Sequence, residues 1–337
     1  MRGKPLGIRR LAKALETIAC ARSQPRITVV RAGGLGDTIL LLPALQILRA
    51  ELPGIRLTLI GSQWAEALRP LIPFPVETAR FDSPRLAPLF AAPASEDPSG
   101  IFPASDAVIL YTEDPSSHFV RNATRHSRGP VLVWPAITIR DTHAAVHLAR
   151  PIAGEPLKVG DLPTPELLLP PNFGAQARSW LDARLGTGVR PMAIHPGSGG
   201  RRKCWPPSSF TELIARLGAP TLLIEGPADA EPCEEIARRL DPALPVARAA
   251  NLLLPHLAAL LAECCLYLGN DSGVSHLAAA LGVPTAVIFG PTDPAVWGPL
   301  GWRVRSIQPA RGAPWPTTED ALTALQGLPV ESSRHSG

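Results

Sequence analysis

Paired cysteines, long apolar runs and blocks of one charge sign are all missing from this chain, and each absence removes a class of protein. The five cysteines, Cys20, Cys204, Cys233, Cys264 and Cys265, include no C-x-x-C pair and have no histidines at zinc spacing, so neither a disulfide framework nor a metal site is signalled. A reducing cytoplasm is the expected compartment. No apolar run reaches the roughly 20 residues of a membrane-spanning helix. The basic amino-terminal stretch "MRGKPLGIRRLAKALETIACA" lacks the continuous apolar centre of a signal peptide, so the protein is expected to be neither secreted nor integral to a membrane. Lys and Arg number 33 against 29 Asp and Glu, a formal net charge of +4, with the arginines scattered among acids. That distribution offers no nucleic-acid footprint and leaves a mild preference for anionic ligands.

What is present describes a globular chain. A length of 337 residues, 45% hydrophobic and 18% charged, suits two ordinary domains with substantial cores and excludes a disordered or fibrous protein. The 39 prolines fit many short, rigid connections. Near the amino terminus, Ile8, Leu11, Leu15 and Ile18 share one helical face, with Arg9, Arg10 and Lys13 elsewhere. A helix docked on its own domain and a helix lying on an anionic membrane surface both fit that pattern, and the docked reading is favoured.

The two halves repeat one grammar. "RITVV", the turn "RAGGLGD", the helical pattern "TILLLPALQILRAEL" and the strand "RLTLIG" make a βαβ unit with parallel strands, and "DAVIL" and "PVLVW" follow as further strands. The second half runs "PMAIH", a glycine-rich turn, "SSFTELIARLG", "PTLLIEG", "EPCEEIARRL", "CCLYLGND", "SGVSHLAAALG" and "PTAVIFG". Between them "LLLPPNFGAQ" interrupts the periodicity, which sets the linker near residues 169 to 175 and the domains at 1–170 and 176–337. The expected class is α/β, with two doubly wound, Rossmann-like domains facing a central cleft and ligands at the carboxyl ends of the strands.

Three strand-terminal turns could carry chemistry. In "RAGGLGD", taking Gly34 and Gly36 as the first pair of G-x-G-x-x-G puts the third position on Ile39, and the next strand ends in "LIGSQ" with no acid for a ribose. A nicotinamide enzyme is therefore disfavoured. Asp37 in the same turn is either the N-cap of the following helix or a general base for an acceptor hydroxyl, and spacing alone favours the cap. "HPGSGGRRKCWP" brings Arg201, Arg202 and Lys203 to a small-residue turn ahead of a helix, which reads equally as a phosphate site and as a basic surface loop. "GNDSGVSHLAAALG" ends a strand in Asn270, Asp271, Ser272 and Gly273, and its small side chains let backbone amides approach an anion. His276 there faces a ligand or makes a bond within the helix, with the second favoured. Thr292 and Asp293 line the next such loop. There is no D-x-D metal motif, and the near miss at Asp229 to Glu231 reads as a helix cap.

Together "RAGGLGDTILLLPAL", "HPGSGGRRKCWP" and "GNDSGVSHLAAALGVPTAVIFGPTDP" resemble the glycosyltransferase family 9 heptosyltransferases of lipopolysaccharide core synthesis, in order and spacing, across nearly the whole chain. The resemblance implies the GT-B fold, a nucleotide-sugar donor on the carboxyl-terminal domain and the acceptor on the amino-terminal one. It implies an inverting, metal-independent transfer, without a cofactor, of a heptosyl unit from ADP-heptose to a sugar hydroxyl of the inner core. The acceptor, lipid A-core, would be met at the cytoplasmic face of the inner membrane through a peripheral contact. By the same resemblance Asp37 is the catalytic base and Lys203 the partner of the donor pyrophosphate. Ser198 and Gly199 add donor contacts, Asp271, Ser272, Gly273 and His276 surround the donor phosphates and sugar, and Glu225 or Asp229 meets the ribose hydroxyls. Gly199 stands where the family often has threonine or serine, and "TIRDTHAAVHLAR" matches the family's acceptor segment only loosely. Other readings are a GT-B transferase or epimerase using another nucleotide sugar, and a non-catalytic nucleotide-sugar-binding protein.

Overall fold

The computed structural model describes residues 22–91, 96–137 and 141–328, with Leu15, Thr17 and Ile18. Of the amino-terminal amphipathic pattern, Ile8, Leu11, Arg9, Arg10 and Lys13 lie outside the described residues, while Leu15 is buried. The chain divides into two units, Met1–Thr164 and Pro165–Gly337.

Among the described residues the first unit holds five parallel strands, β1 (Arg26–Arg31), β2 (Arg56–Gly61), β3 (Glu77–Arg80), β4 (Ala107–Thr112) and β5 (Val131–Pro135), in the order β3-β2-β1-β4-β5. Strands covered on both faces read as continuous apolar runs, and Ile27, Val29 and Val30 of β1 are buried accordingly. The crossover from β1 to β2 is the helix Leu35–Glu51, which buries Ile39, Leu42, Leu45 and Leu48 and packs against the helix Ala144–Ala153. Aromatics are scarce, but four of the eight phenylalanines, Phe81, Phe90, Phe102 and Phe119, meet in one cluster, with ring centroids 4.7 to 5.9 Å apart. They extend the core formed by Val30, Ile60 and Leu110.

The second unit is a six-stranded parallel sheet in the order β11-β10-β9-β6-β7-β8. Its strands are β6 (Met192–His195), β7 (Thr221–Glu225), β8 (Val246–Ala250), β9 (Leu266–Asn270), β10 (Thr285–Ile288) and β11 (Val304–Ile307). Two βαβαβ halves set side by side give this order, which is that of dinucleotide-binding Rossmann domains, and the strand order reverses between β6 and β9. Trp205 and Phe210 anchor the core under β6, their rings edge to face at 5.0 Å. The Trp205 indole N–H, which burial would otherwise leave unsatisfied, donates to the Pro316 carbonyl at 2.9 Å.

The stretch read as a linker is not one in the structure. Pro170 and Pro171 stand at the N-cap and first position of the helix Pro171–Leu185, where a missing N–H costs no hydrogen bond. The division of the chain falls earlier, after Thr164.

Replacing Phe210, which is fully buried, by alanine is expected to destabilise the second unit by about 3–5 kcal/mol. Urea unfolding followed by circular dichroism should show a lower midpoint, and a midpoint equal to that of the parent protein would contradict this placement of the core.

Candidate active site

At the carboxyl end of β1 the chain passes through Gly33 and Gly34 into the helix Leu35–Glu51. Gly34, not Asp37, is the N-cap. Asp37 is the third residue of the helix and reaches back, its Oδ2 accepting the Gly34 backbone N–H at 2.8 Å. Its Oδ1 accepts from Arg31 Nη2 at 2.8 Å. Arg31 is 7% exposed and gives its Nη1 to the Ala136 carbonyl at 3.0 Å. The carboxylate is thus fixed from two sides while a third of its side chain, 33%, still meets solvent. Gly33 is required there, because a Cβ would lie 2.7 Å from that of Asp37. The role of Arg31 escaped the sequence reading; the signal was a charged residue closing an apolar strand.

In the second unit the loops after β6 and β9 flank the reversal of strand order. Buried Asn270 ties the first loop at both ends, with Nδ2 donating to the Pro196 and Gly197 carbonyls at 2.7 and 3.3 Å and Oδ1 accepting from the Trp205 backbone N–H at 2.9 Å. Side chains from two loops converge on Asp271. Its Oδ2 accepts from Lys203 Nζ at 2.9 Å and from Thr292 Oγ1 at 2.8 Å, and its carbonyl accepts from Ser198 Oγ at 2.7 Å. Of the three basic residues in the turn, Lys203 turns to Asp271, while Arg201 pairs with exposed Glu231. Gly199 faces open space, since a Cβ built on it meets nothing within 4 Å.

A second chain of polar contacts runs from the amino terminus of the helix Gly273–Ala280 to the end of β7. Ser272 Oγ lies 3.3 Å from His195 Nδ1, and His195 Nε2 lies 3.1 Å from Asp229 Oδ2. Asp229 occupies the N-cap position of the helix Ala230–Arg239, yet its side chain does not cap it. The Oδ2 also accepts the Gly226 N–H at 3.0 Å, which corrects the reading of this residue as a helix cap. Burial pushes the Asp229 carboxyl up. The hydrogen bond and charge of His195 and the Gly226 N–H together outweigh it and hold the group below the ordinary carboxylate value. Gly197 makes room, because a Cβ there would fall 2.1 Å from that carboxylate. Glu225 is buried against Arg248, which also reaches Glu234 at 2.9 Å. His276 is buried on the helix.

The structure therefore gathers Ser198, Lys203, Asp271 and Ser272 at one place and links Ser272 to Asp229 through His195. Asp37 belongs to the other unit. His195 and Asn270 were not assigned from the sequence, although a polar residue ending each of two apolar strands pointed to them. Among the described residues no group of three or more His, Cys, Asp or Glu side chains is placed to hold a metal ion, and no helix is long and apolar enough to cross a membrane.

Two Rossmann-like units, each with a polar cluster where its strand order reverses, define a protein of the GT-B fold. The sequence profile of glycosyltransferase family 9 (heptosyltransferase) matches residues 144–319, more than half of the chain, and the chain belongs to this family. It is 33% identical over 144 residues to lipopolysaccharide heptosyltransferase 3 of Escherichia coli, a match spanning 41% of this chain and 42% of that relative. It is 26% identical to lipopolysaccharide heptosyltransferase 1 of Pseudomonas aeruginosa over 302 residues, 82% of this chain and 81% of the relative. The solved structure of the E. coli ADP-heptose lipopolysaccharide heptosyltransferase II superposes with a TM-score of 0.72 at 19% identity, covering 89% of this chain and 97% of that one. At that identity the likeness establishes the fold.

A carboxyl held below its ordinary value stabilises the fold above its unfolded value of about 3.9 and loses that contribution as pH falls through the folded value. The stability difference between the parent protein and Asp229→Asn is therefore expected to be fully present at about pH 5 and to shrink on further acidification. A difference that stays undiminished between about pH 5 and 1 would contradict the arrangement around His195.

Proposed function

We propose that the protein transfers a heptosyl unit from ADP-heptose to a sugar hydroxyl of the lipopolysaccharide inner core, with inversion at the anomeric carbon and without a metal. The observation that carries this reading is the convergence of Ser198, Lys203 and Thr292 on Asp271 beside the helix Gly273–Ala280. It lies within the segment matched by the family profile.

The chemistry follows from charge. As the bond between the anomeric carbon and the diphosphate oxygen breaks, ADP leaves with the electron pair, and negative charge grows on that oxygen. Lys203, oriented by Asp271, would stabilise it together with the backbone amides of Ser272, Gly273 and the turn at Ser198 and Gly199. His276 serves the donor phosphates and sugar from the same helix. The ribose hydroxyls fall to Glu225 or Asp229; of the latter, Oδ2 is engaged with His195 and Gly226, which leaves Oδ1 to accept from a hydroxyl. Asp37 takes the proton of the acceptor hydroxyl as its oxygen bonds to the anomeric carbon. Arg31 holds one carboxylate oxygen and the Gly34 N–H the other, so the base is preorganised rather than mobile. The acceptor in this reading is lipid A-core, met by a cytoplasmic enzyme working peripherally at the inner membrane.

A screen of ADP-, UDP- and GDP-sugars with purified protein and a core oligosaccharide acceptor, reading the released nucleotide, is expected to give ADP. Release of UDP with no ADP would overturn the donor assignment.

Asp37→Asn tests the base. An amide oxygen can accept from Arg31 or from Gly34, but its NH₂ must then face the other donor, so the variant loses about 1.5–3 kcal/mol of stability. Its kcat is expected to fall by roughly 10² to 10⁴ with ADP-heptose affinity unchanged. A folded variant with near-normal kcat would exclude Asp37 as the base, and an equal loss of donor affinity would make it part of the donor site.

A further inference from the structure

A second concentration of charge lies at the other end of the first sheet, where the strands begin. Arg26 opens β1 and Arg56 opens β2, and the two are register partners on neighbouring parallel strands. Like charges set side by side repel, and among the described residues neither guanidinium has a carboxylate to offset the other. Arg56 is held by the neutral amide oxygen of Gln24, at 3.1 and 2.8 Å. The nearby carboxylate of Asp106 is already engaged, one oxygen by Arg22 at 3.0 Å and the other by the Arg26 backbone N–H at 3.0 Å. Arg85 and Arg128, both exposed, add to the same region.

Behind these arginines is a cavity of about 380 Å³, and a second of about 360 Å³ shares Arg26, Arg56 and Ala104 with it. Volumes of this size suit a small ligand. Strands covered on both faces are normally apolar throughout, yet Thr28 and Thr58, register partners on one face of the sheet, line the first cavity, joined by Ser83, Ser99 and Ser105. Thr28 and Ser105 satisfy each other at 2.8 Å, whereas the Thr58 hydroxyl makes no hydrogen bond among the described residues. Glu77, the one carboxylate among the described lining residues, is an acceptor for hydroxyl groups.

A row of unneutralised guanidinium groups at the mouth recognises an anion, and phosphate matches their planar fork. Hydroxyls along the wall and a single exposed carboxylate recognise a polyhydroxylated body. We propose that this pocket binds a phosphorylated saccharide, with its phosphate on Arg26 and Arg56 and its hydroxyls on Thr58 and Glu77, which face the same side of the sheet. The pocket is separate from the candidate active site. Arg26 and Arg31 stand at opposite ends of β1, about 16 Å apart at the rise of a β-strand, and Asp37 follows the far end.

The test is titration calorimetry of the full chain with glucose 6-phosphate, glucose and inorganic phosphate. Flotation with phosphatidylcholine vesicles, with and without phosphatidylinositol 4-phosphate, tells a lipid-linked ligand from a soluble one. Binding of glucose 6-phosphate in preference to inorganic phosphate and glucose, or of the phosphoinositide vesicles alone, is the expected result. Arg26→Gln and Arg56→Gln should each weaken it by about tenfold or more, the loss of a charge-assisted hydrogen bond, and leave ADP binding unchanged. Thr58→Val should weaken sugar-phosphate binding and spare binding of inorganic phosphate. Failure of both probes to bind, equal affinity for inorganic phosphate and glucose 6-phosphate, or binding indifferent to both arginine substitutions would overturn the proposal.

Discussion

Asp271 carries a carboxylate to a position where 7% of its side chain meets solvent, and a buried charge persists only when paired and hydrogen-bonded. Lys203 and Thr292 supply that compensation at 2.9 and 2.8 Å. In doing so they bind the loops after β6 and β10 to the loop after β9. Remove the carboxylate and Lys203, 38% exposed, becomes a flexible cation in solvent. Keep it, and the ammonium is held at the amino terminus of the helix Gly273–Ala280, where small side chains leave the backbone accessible. The remainder of the second unit serves this arrangement: Asn270 fixes the ends of the loop that carries Lys203, and Trp205 closes that loop onto the core.

The first unit applies the same logic with the charges reversed. Arg31 is the buried member and Asp37 the partly exposed one, so the group left facing solvent is a carboxylate with its position set by an arginine and a backbone N–H. Each unit presents one ionised side chain held by a desolvated partner of opposite sign. Preorganised charges of this kind stabilise developing charge without reorganising at the moment of reaction, which is what the proposed transfer asks of a leaving-group partner and a base.

The central strands were legible as apolar runs because both of their faces are covered. The strands that escaped, β3, β8 and β11, all lie at sheet edges. Their burial is partial, and sequences such as "ETAR" and "VRSI" carry no apolar run to find. The prolines at 170 and 171 misled for a similar reason: a proline breaks a helix inside it but starts one at its first turn. At the site, residue types and spacing located the three turns, and the family resemblance assigned roles within them. What spacing could not reveal was long-range pairing. Nothing local announces that Asn270 holds a loop beginning 74 residues earlier or that His195 joins Ser272 to Asp229. Asp37 does bond the N-cap Gly34 N–H of its own helix, and its pairing with Arg31 comes in addition.

The account turns on Lys203 as the partner of a diphosphate, so the most direct measurement compares ADP with AMP by titration calorimetry in the parent protein and in Lys203→Met. Methionine keeps the length of the side chain and removes its charge. The parent protein is expected to bind ADP more tightly than AMP, and the variant to lose that preference by about 1.5–3 kcal/mol, the worth of a hydrogen bond to a charged group, with AMP affinity little changed. An ADP preference that survives intact in Lys203→Met would contradict the account.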